Sequence, residues 1–158
     1  MFKRTLERGF TLIELLVVIA IIGILAATVL ASLGSARQGG SNASAKGSMT
    51  SLRSQAEIYY TTSITGYTGM CASAGAQSLL IAAKNNGSGG QSAVYTAAAA
   101  PAWSATPASN VTSCHESATA WAAQVPLNGT AASYFCVDSA GKAKEGTVAM
   151  AAVDVTCP

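Results

Sequence analysis

Two hydrophobic patterns divide the chain. From Leu15 to Ala36 there are 22 consecutive residues without a charge, apolar on every side of a helix, and Arg37 closes the run. At about 1.5 Å per residue such a helix is roughly 33 Å long, enough to cross a hydrocarbon core of about 30 Å. Beyond it Ala45, Met49, Leu52, Ala56 and Tyr59 or Tyr60 recur at steps of three and four, which marks one buried helical face. The pattern predicts a helix resuming by about Ala45. Gly39 and Gly40 lie between the two stretches, and a glycine costs about 1 kcal/mol in a helix interior. The sequence therefore permits a bend or an unwound turn there, with Gly23 as a second soft point.

From Thr61 to Pro107 the chain is rich in Gly, Ser, Ala and Thr, and only "AQSLLIAAK" (Ala76 to Lys84) has the apolar content of a further helix. "NNGSGGQS" reads as a turn or loop, and "AAAAPAWSATPAS", punctuated by Pro101 and Pro107, as an exposed connection. The last third changes period. Trp121, Ala123, Val125 and Leu127 alternate, "SYFCVDSAGKA" is a short strand running into a turn from Ser139 to Lys142, and "TVAMAAVDV" is a further extended segment. Three or four short antiparallel strands are expected, one face covering the helix that carries Met49 and Leu52. The fold class is α+β.

Composition sharpens the picture at the N-terminus. Half of the 158 residues are hydrophobic and 10% are charged, with the apolar residues concentrated in the first run. Lys3, Arg4 and Arg8 precede it, and positive charge stays on the cytoplasmic side, so the bulk of the chain is expected outside. Four cysteines in a small exported domain agree with an oxidising compartment. A cleavable secretory signal ending at "SLGSA" (Ser32 to Ala36) is the rival reading. The apolar run is longer than the usual 7 to 15 residues of such signals, and Glu14 stands at its start.

Glu14 is the residue that calls for a reason. With Thr11 it has capping-box spacing, and a carboxylate in a first helical turn satisfies free N–H groups and suits the helix dipole. Those contacts explain how the charge is tolerated. Carboxylates at membrane depth are commonly paired, and a cut between Gly9 and Phe10 gives Phe10 a free amino group within reach of its own or a neighbouring Glu14.

Residues 1 to 33, "MFKRTLERGFTLIELLVVIAIIGILAATVLASL", resemble the leader and N-terminal helix of type IV pilin precursors and of the pseudopilins of type II secretion. The likeness runs position by position: a short basic leader ending in Gly9, then Phe10, Thr11, Leu12, Ile13, Glu14 and an unbroken apolar helix. It implies that a membrane-embedded prepilin peptidase cuts after Gly9 and methylates the amine of Phe10. It also implies that Glu14 aligns an incoming subunit by pairing with a neighbour's N-terminal amine. The organisation it implies is a leader at 1–9, a membrane-spanning and filament-core helix at 10–36, its second half at 37–62, and a head at 63–158 with a variable connection and a C-terminal sheet. "W…PL…YFCVDS.GK" resembles the C-terminal sheet of some pilin-like proteins more distantly.

The expected role is that of a structural subunit, with no catalytic residue and no cofactor. The resemblance implies as partners identical subunits in a helical filament, the prepilin peptidase and methylase, and an inner-membrane assembly platform with its ATPase. The expected location is the bacterial inner membrane before assembly and an extracellular pilus afterwards. The alternative is a pseudopilin of a secretion system. Four cysteines allow three connectivities. The preferred pairing is Cys136 with Cys157, closing the C-terminal region as pilins commonly do, and Cys71 with Cys114, pinning the long connection to the start of the sheet. Two disulfides, with no carboxylate-rich calcium loop among Asp138, Glu145 and Asp154, favour the pilin reading.

Other chemistry finds little support. Loss of the leader leaves 6 basic and 6 acidic side chains, so nucleic acid is not an expected partner, and Lys142 and Lys144 read as a solvated hairpin. His115 is the one histidine and no Cys-x-x-Cys pair is present, which lacks structural zinc spacing. In "CHE" (Cys114 to Glu116) adjacent strand residues face opposite ways, which argues against a Cys-His nucleophile and for a disulfide cysteine beside a surface histidine. The Asn-x-Ser/Thr triplets at Asn42, Asn86, Asn110 and Asn128 are glycosylation acceptors only in a host with suitable enzymes.

Overall fold

The structure is a computed structural model and describes residues 9–88, 95–96, 111–129, 132–151 and 154–158. The expected leader up to Arg8 and the "AAAAPAWSATPAS" connection lie outside these residues. Helix α1 spans Leu12–Thr62 and α2 spans Ala74–Asn86. Strands β1 (Tyr95–Thr96), β2 (Ser113–Glu116), β3 (Trp121–Pro126), β4 (Tyr134–Asp138) and β5 (Ala143–Gly146) form one sheet in that order. Strands β2 to β5 are antiparallel, and the two-residue β1 joins β2 in parallel. The arrangement is the expected α+β one.

The chain divides into two compact units, Met1–Arg37 and Gln38–Pro158. In the first, α1 from Leu12 onward is long and apolar enough to cross a membrane, its most apolar 18-residue window having a mean hydropathy of 2.8. Its Leu, Ile and Val side chains are exposed all round, as on a helix whose solvent is lipid. Gly39 and Gly40 are helical, and a Cβ on either has nothing within 4 Å. The permitted unwinding is absent there: both lie inside α1.

In the second unit α1 presents Ala45, Met49, Leu52 and Ala56, all buried, with Tyr59 partly buried beside them. They pack on Trp121, Ala123, Val125, Phe135 and Val137 from one sheet face, together with Ala76, Leu80 and Ala83 of α2. Ser73 starts α2 by accepting from the Ala76 N–H, and Gly87 ends it by donating to the Ala83 carbonyl at 2.8 Å. The "AQSLLIAAK" expectation therefore holds.

All six residues of β3 are buried, not alternate ones. The second sheet face is also covered, by a C-terminal segment whose Met150 and Cys157 pack on Ala122 and Cys136. This overturns the expected "TVAMAAVDV" strand. The tight turn in which Gly141 (φ 93°) donates to the Asp138 carbonyl starts the last strand at Ala143, and the described residues from Thr147 to Ala151 are not strand. Ala152 and Val153 of that segment lie outside the described residues.

Candidate functional site

The first candidate site is the N-terminal end of α1. Thr11 stands immediately before the helix, and its Oγ1 accepts from the Glu14 N–H at 3.3 Å. In return Glu14 Oε2 accepts from the Thr11 N–H at 2.9 Å and from the Thr11 hydroxyl at 2.7 Å. The reciprocal pair is a capping box, satisfying donors that a helix start leaves open. It fixes one carboxylate oxygen and leaves Oε1 without a hydrogen bond among the described residues. Gly9 and Phe10 precede the helix and are exposed, Phe10 to 81%. The site can therefore offer a peptide bond to a protease and, from Glu14 Oε1, an acceptor to an external cation.

The second assembly of chemical groups is in the head. Cys71 is bonded to Cys114 and Cys136 to Cys157. The first joins the loop after α1 to β2, within the main core, and the second joins β4 to the C-terminal segment. In a chain-entropy view, each closes a loop worth about 3 to 4 kcal/mol.

Three arrangements around these bonds have no local sequence signal. Glu116 reaches from the end of β2 to accept from the backbone N–H groups of Gly69 and Cys71. That loop is tight: Gly66 has φ +67°, and a Cβ there would lie 2.0 Å from the Ala118 carbonyl oxygen. Tyr67 donates to Glu57 Oε1 at 2.9 Å, and burial together with that carboxylate pushes its phenol up to about 12. Asn42, Asn86 and Asn128 meet as a clasp, with Asn128 Nδ2 donating to the Asn86 carbonyl at 2.8 Å. Three of the four Asn-x-Ser/Thr amides are thereby engaged, since Asn86 itself donates to the Ala82 carbonyl; Asn110 lies outside the described residues.

His115 is not the surface residue expected. It is 3% exposed, because the C-terminal segment covers its sheet face, and burial holds its imidazole below the usual range. Lys142 donates to the Cys157 carbonyl at 2.9 Å, Lys144 is exposed, and Lys46 pairs with Glu145 on β5 in a partly exposed contact of small energetic weight.

Residues 4–30 match the family model described as the prokaryotic N-terminal methylation motif. No curated protein and no solved structure matches the chain.

Proposed function

Starting from a chain that carries the N-terminal signature of type IV pilin and pseudopilin precursors, we propose that this protein is a structural subunit of a type IV pilus. The motif implies processing by a prepilin peptidase and assembly into a pilus-like filament, and the apolar helix fits a membrane-anchored precursor. In this reading the peptidase cuts between Gly9 and Phe10, the new amine of Phe10 is methylated, and the first unit anchors the precursor until assembly. Glu14 acts at the moment of assembly. Its Oε2 is committed to Thr11, and its open Oε1 takes the N-terminal ammonium of a neighbouring subunit as the helices pack. In lipid a carboxylate at that depth costs energy until it finds such a partner, so pairing draws the helix into register.

The observation that carries the reading is the capping box at the first turn of an apolar helix, directly after an exposed Gly9–Phe10 bond. A head closed by two disulfides supports a filament exposed outside the cell. The second reading, a pseudopilin of a short periplasmic filament, rests on the same motif. Shearing cells and probing both fractions separates them. The processed chain in the sheared filaments supports the pilus; its confinement to the membrane fraction supports the pseudopilus.

A further inference from the structure

The two faces of the sheet are built differently. The face toward α1 carries Trp121, Ala123, Val125, Phe135 and Val137. The opposite face carries Ser113, His115, Gln124 and Asp138, all buried, among only a few apolar groups. What covers this polar face is the C-terminal segment, and it is held by named donors and acceptors. Gln124 Oε1 accepts from the Met150 N–H at 2.6 Å, and Asp138 Oδ2 accepts from the Cys157 N–H at 2.9 Å. Lys142 Nζ donates to the Cys157 carbonyl, and Cys136 is bonded to Cys157.

Apart from Met150 and Cys157, which are buried against Ala122 and Cys136, the segment is held by directional bonds to polar side chains, so it can lift locally without disturbing the apolar core beneath α1. The disulfide keeps one end attached while it does. Beneath it the Nδ1 of His115 and the hydroxyl of Ser113 have no hydrogen-bond partner among the described residues. A buried imidazole with an unanswered nitrogen is accommodated as the neutral form and resists a charge.

We propose that the C-terminal segment carrying Met150, Asp154 and Cys157 is an acid-opened latch, lifted from the outer sheet face when His115 takes up a proton. The charged groups around the imidazole are few. Asp154 comes from the latch itself and favours the charged form in part, first through a backbone hydrogen bond to the ring and then through its carboxylate. Asp138 shares the sheet face two strands away, across Ala122, while Glu116 on β2 points to the opposite face. Burial is the larger effect and keeps the closed-state histidine below its ordinary range. Opened, the ring is hydrated and titrates near its ordinary value of about 6.5. Above that value both states are neutral and the latch is shut. As pH falls below it the open state binds the proton first, so opening is favoured by up to about tenfold per pH unit.

The Met150 and Cys157 amides report the latch directly, because each is bonded to a sheet side chain only when it is shut. Hydrogen exchange of the full-length chain in detergent micelles, with intrinsic rates divided out, is followed from pH 7 to pH 5. The expected result is a progressive fall in protection of these two amides below about pH 6.5, at most about tenfold per pH unit, while the amides of Leu52 and Val125 stay constant. In His115→Gln the two latch amides show no such fall. If that variant does not fold, His115→Leu, which is equally unable to take up a proton, gives the second test, with the fall again absent. Flat protection in the wild type, an equal fall in His115→Gln or His115→Leu, or a parallel loss at Leu52 overturns the proposal.

Discussion

The side chain of Asn42 pairs with both backbone groups of Asn128, donating from Nδ2 to its carbonyl at 2.9 Å and accepting from its N–H at 2.8 Å. One amide thus completes, 86 residues away in sequence, the bonding that a strand neighbour would supply. Asn42→Ala leaves both groups of Asn128 unanswered in a partly buried place, at a cost of about 1 to 3 kcal/mol. Thermal unfolding of the head is expected several degrees lower. Asn42→Asp keeps the acceptor but loses the donor, and should fall between the wild type and Asn42→Ala.

Glu116 is expected to matter as much, for a different reason. Its carboxylate answers two backbone N–H groups, at Gly69 and Cys71, that the tight loop leaves without strand or helix partners. Charge-assisted bonds of this kind contribute about 1.5 to 3 kcal/mol each. Glu116→Ala should lower the unfolding temperature by roughly 10 to 20 °C in calorimetry, with the Cys71–Cys114 bond still formed on non-reducing peptide mapping. An unchanged melting temperature would show that water answers those N–H groups equally well.

Alkaline stability follows from Tyr67. Its phenol, buried and donating to Glu57, releases its proton only at about 12, whereas in the unfolded chain it does so near its ordinary 10. Between these values the unfolded state binds fewer protons, so stability falls as pH rises through that window and is fully present below it. Denaturant unfolding from pH 9 to 12 should show this slope in the wild type. Tyr67→Phe should remove it.

Much of the fold is legible in the sequence, and the departures have a common physical cause. Met49, Leu52 and Ala56 share a helical face through local periodicity alone, and the structure buries them together. The apolar run that starts at Leu15 likewise needs no tertiary context. Glu116 and Asn42 bond to backbone groups 45 to 86 residues away, and nothing in their neighbourhood signals that. His115 departs from its expected surface position for the same reason. Alternation identifies the face of β3 that meets α1, but the cover on the other face comes from residues beyond Gly146 whose apolar pattern resembles a strand.

The role assigned to Glu14 predicts a separation of processing from assembly. Glu14→Ala should be inserted and cleaved at wild-type levels, since Gly9 and Phe10 are untouched, while sheared filament falls at least tenfold. Glu14→Gln retains the bonds to Thr11 but not the charge, and should fail similarly. Normal filament yield in Glu14→Gln would contradict ammonium pairing.

Whether the chain is cut before Phe10 and built into a surface filament can be read from one quantity, the intact mass of the unreduced protein in sheared filaments. The expected product is a chain beginning at Phe10, heavier by one methyl group and lighter by about four hydrogens for two disulfides. A chain that begins near Arg37, or one that keeps its leader, would contradict it.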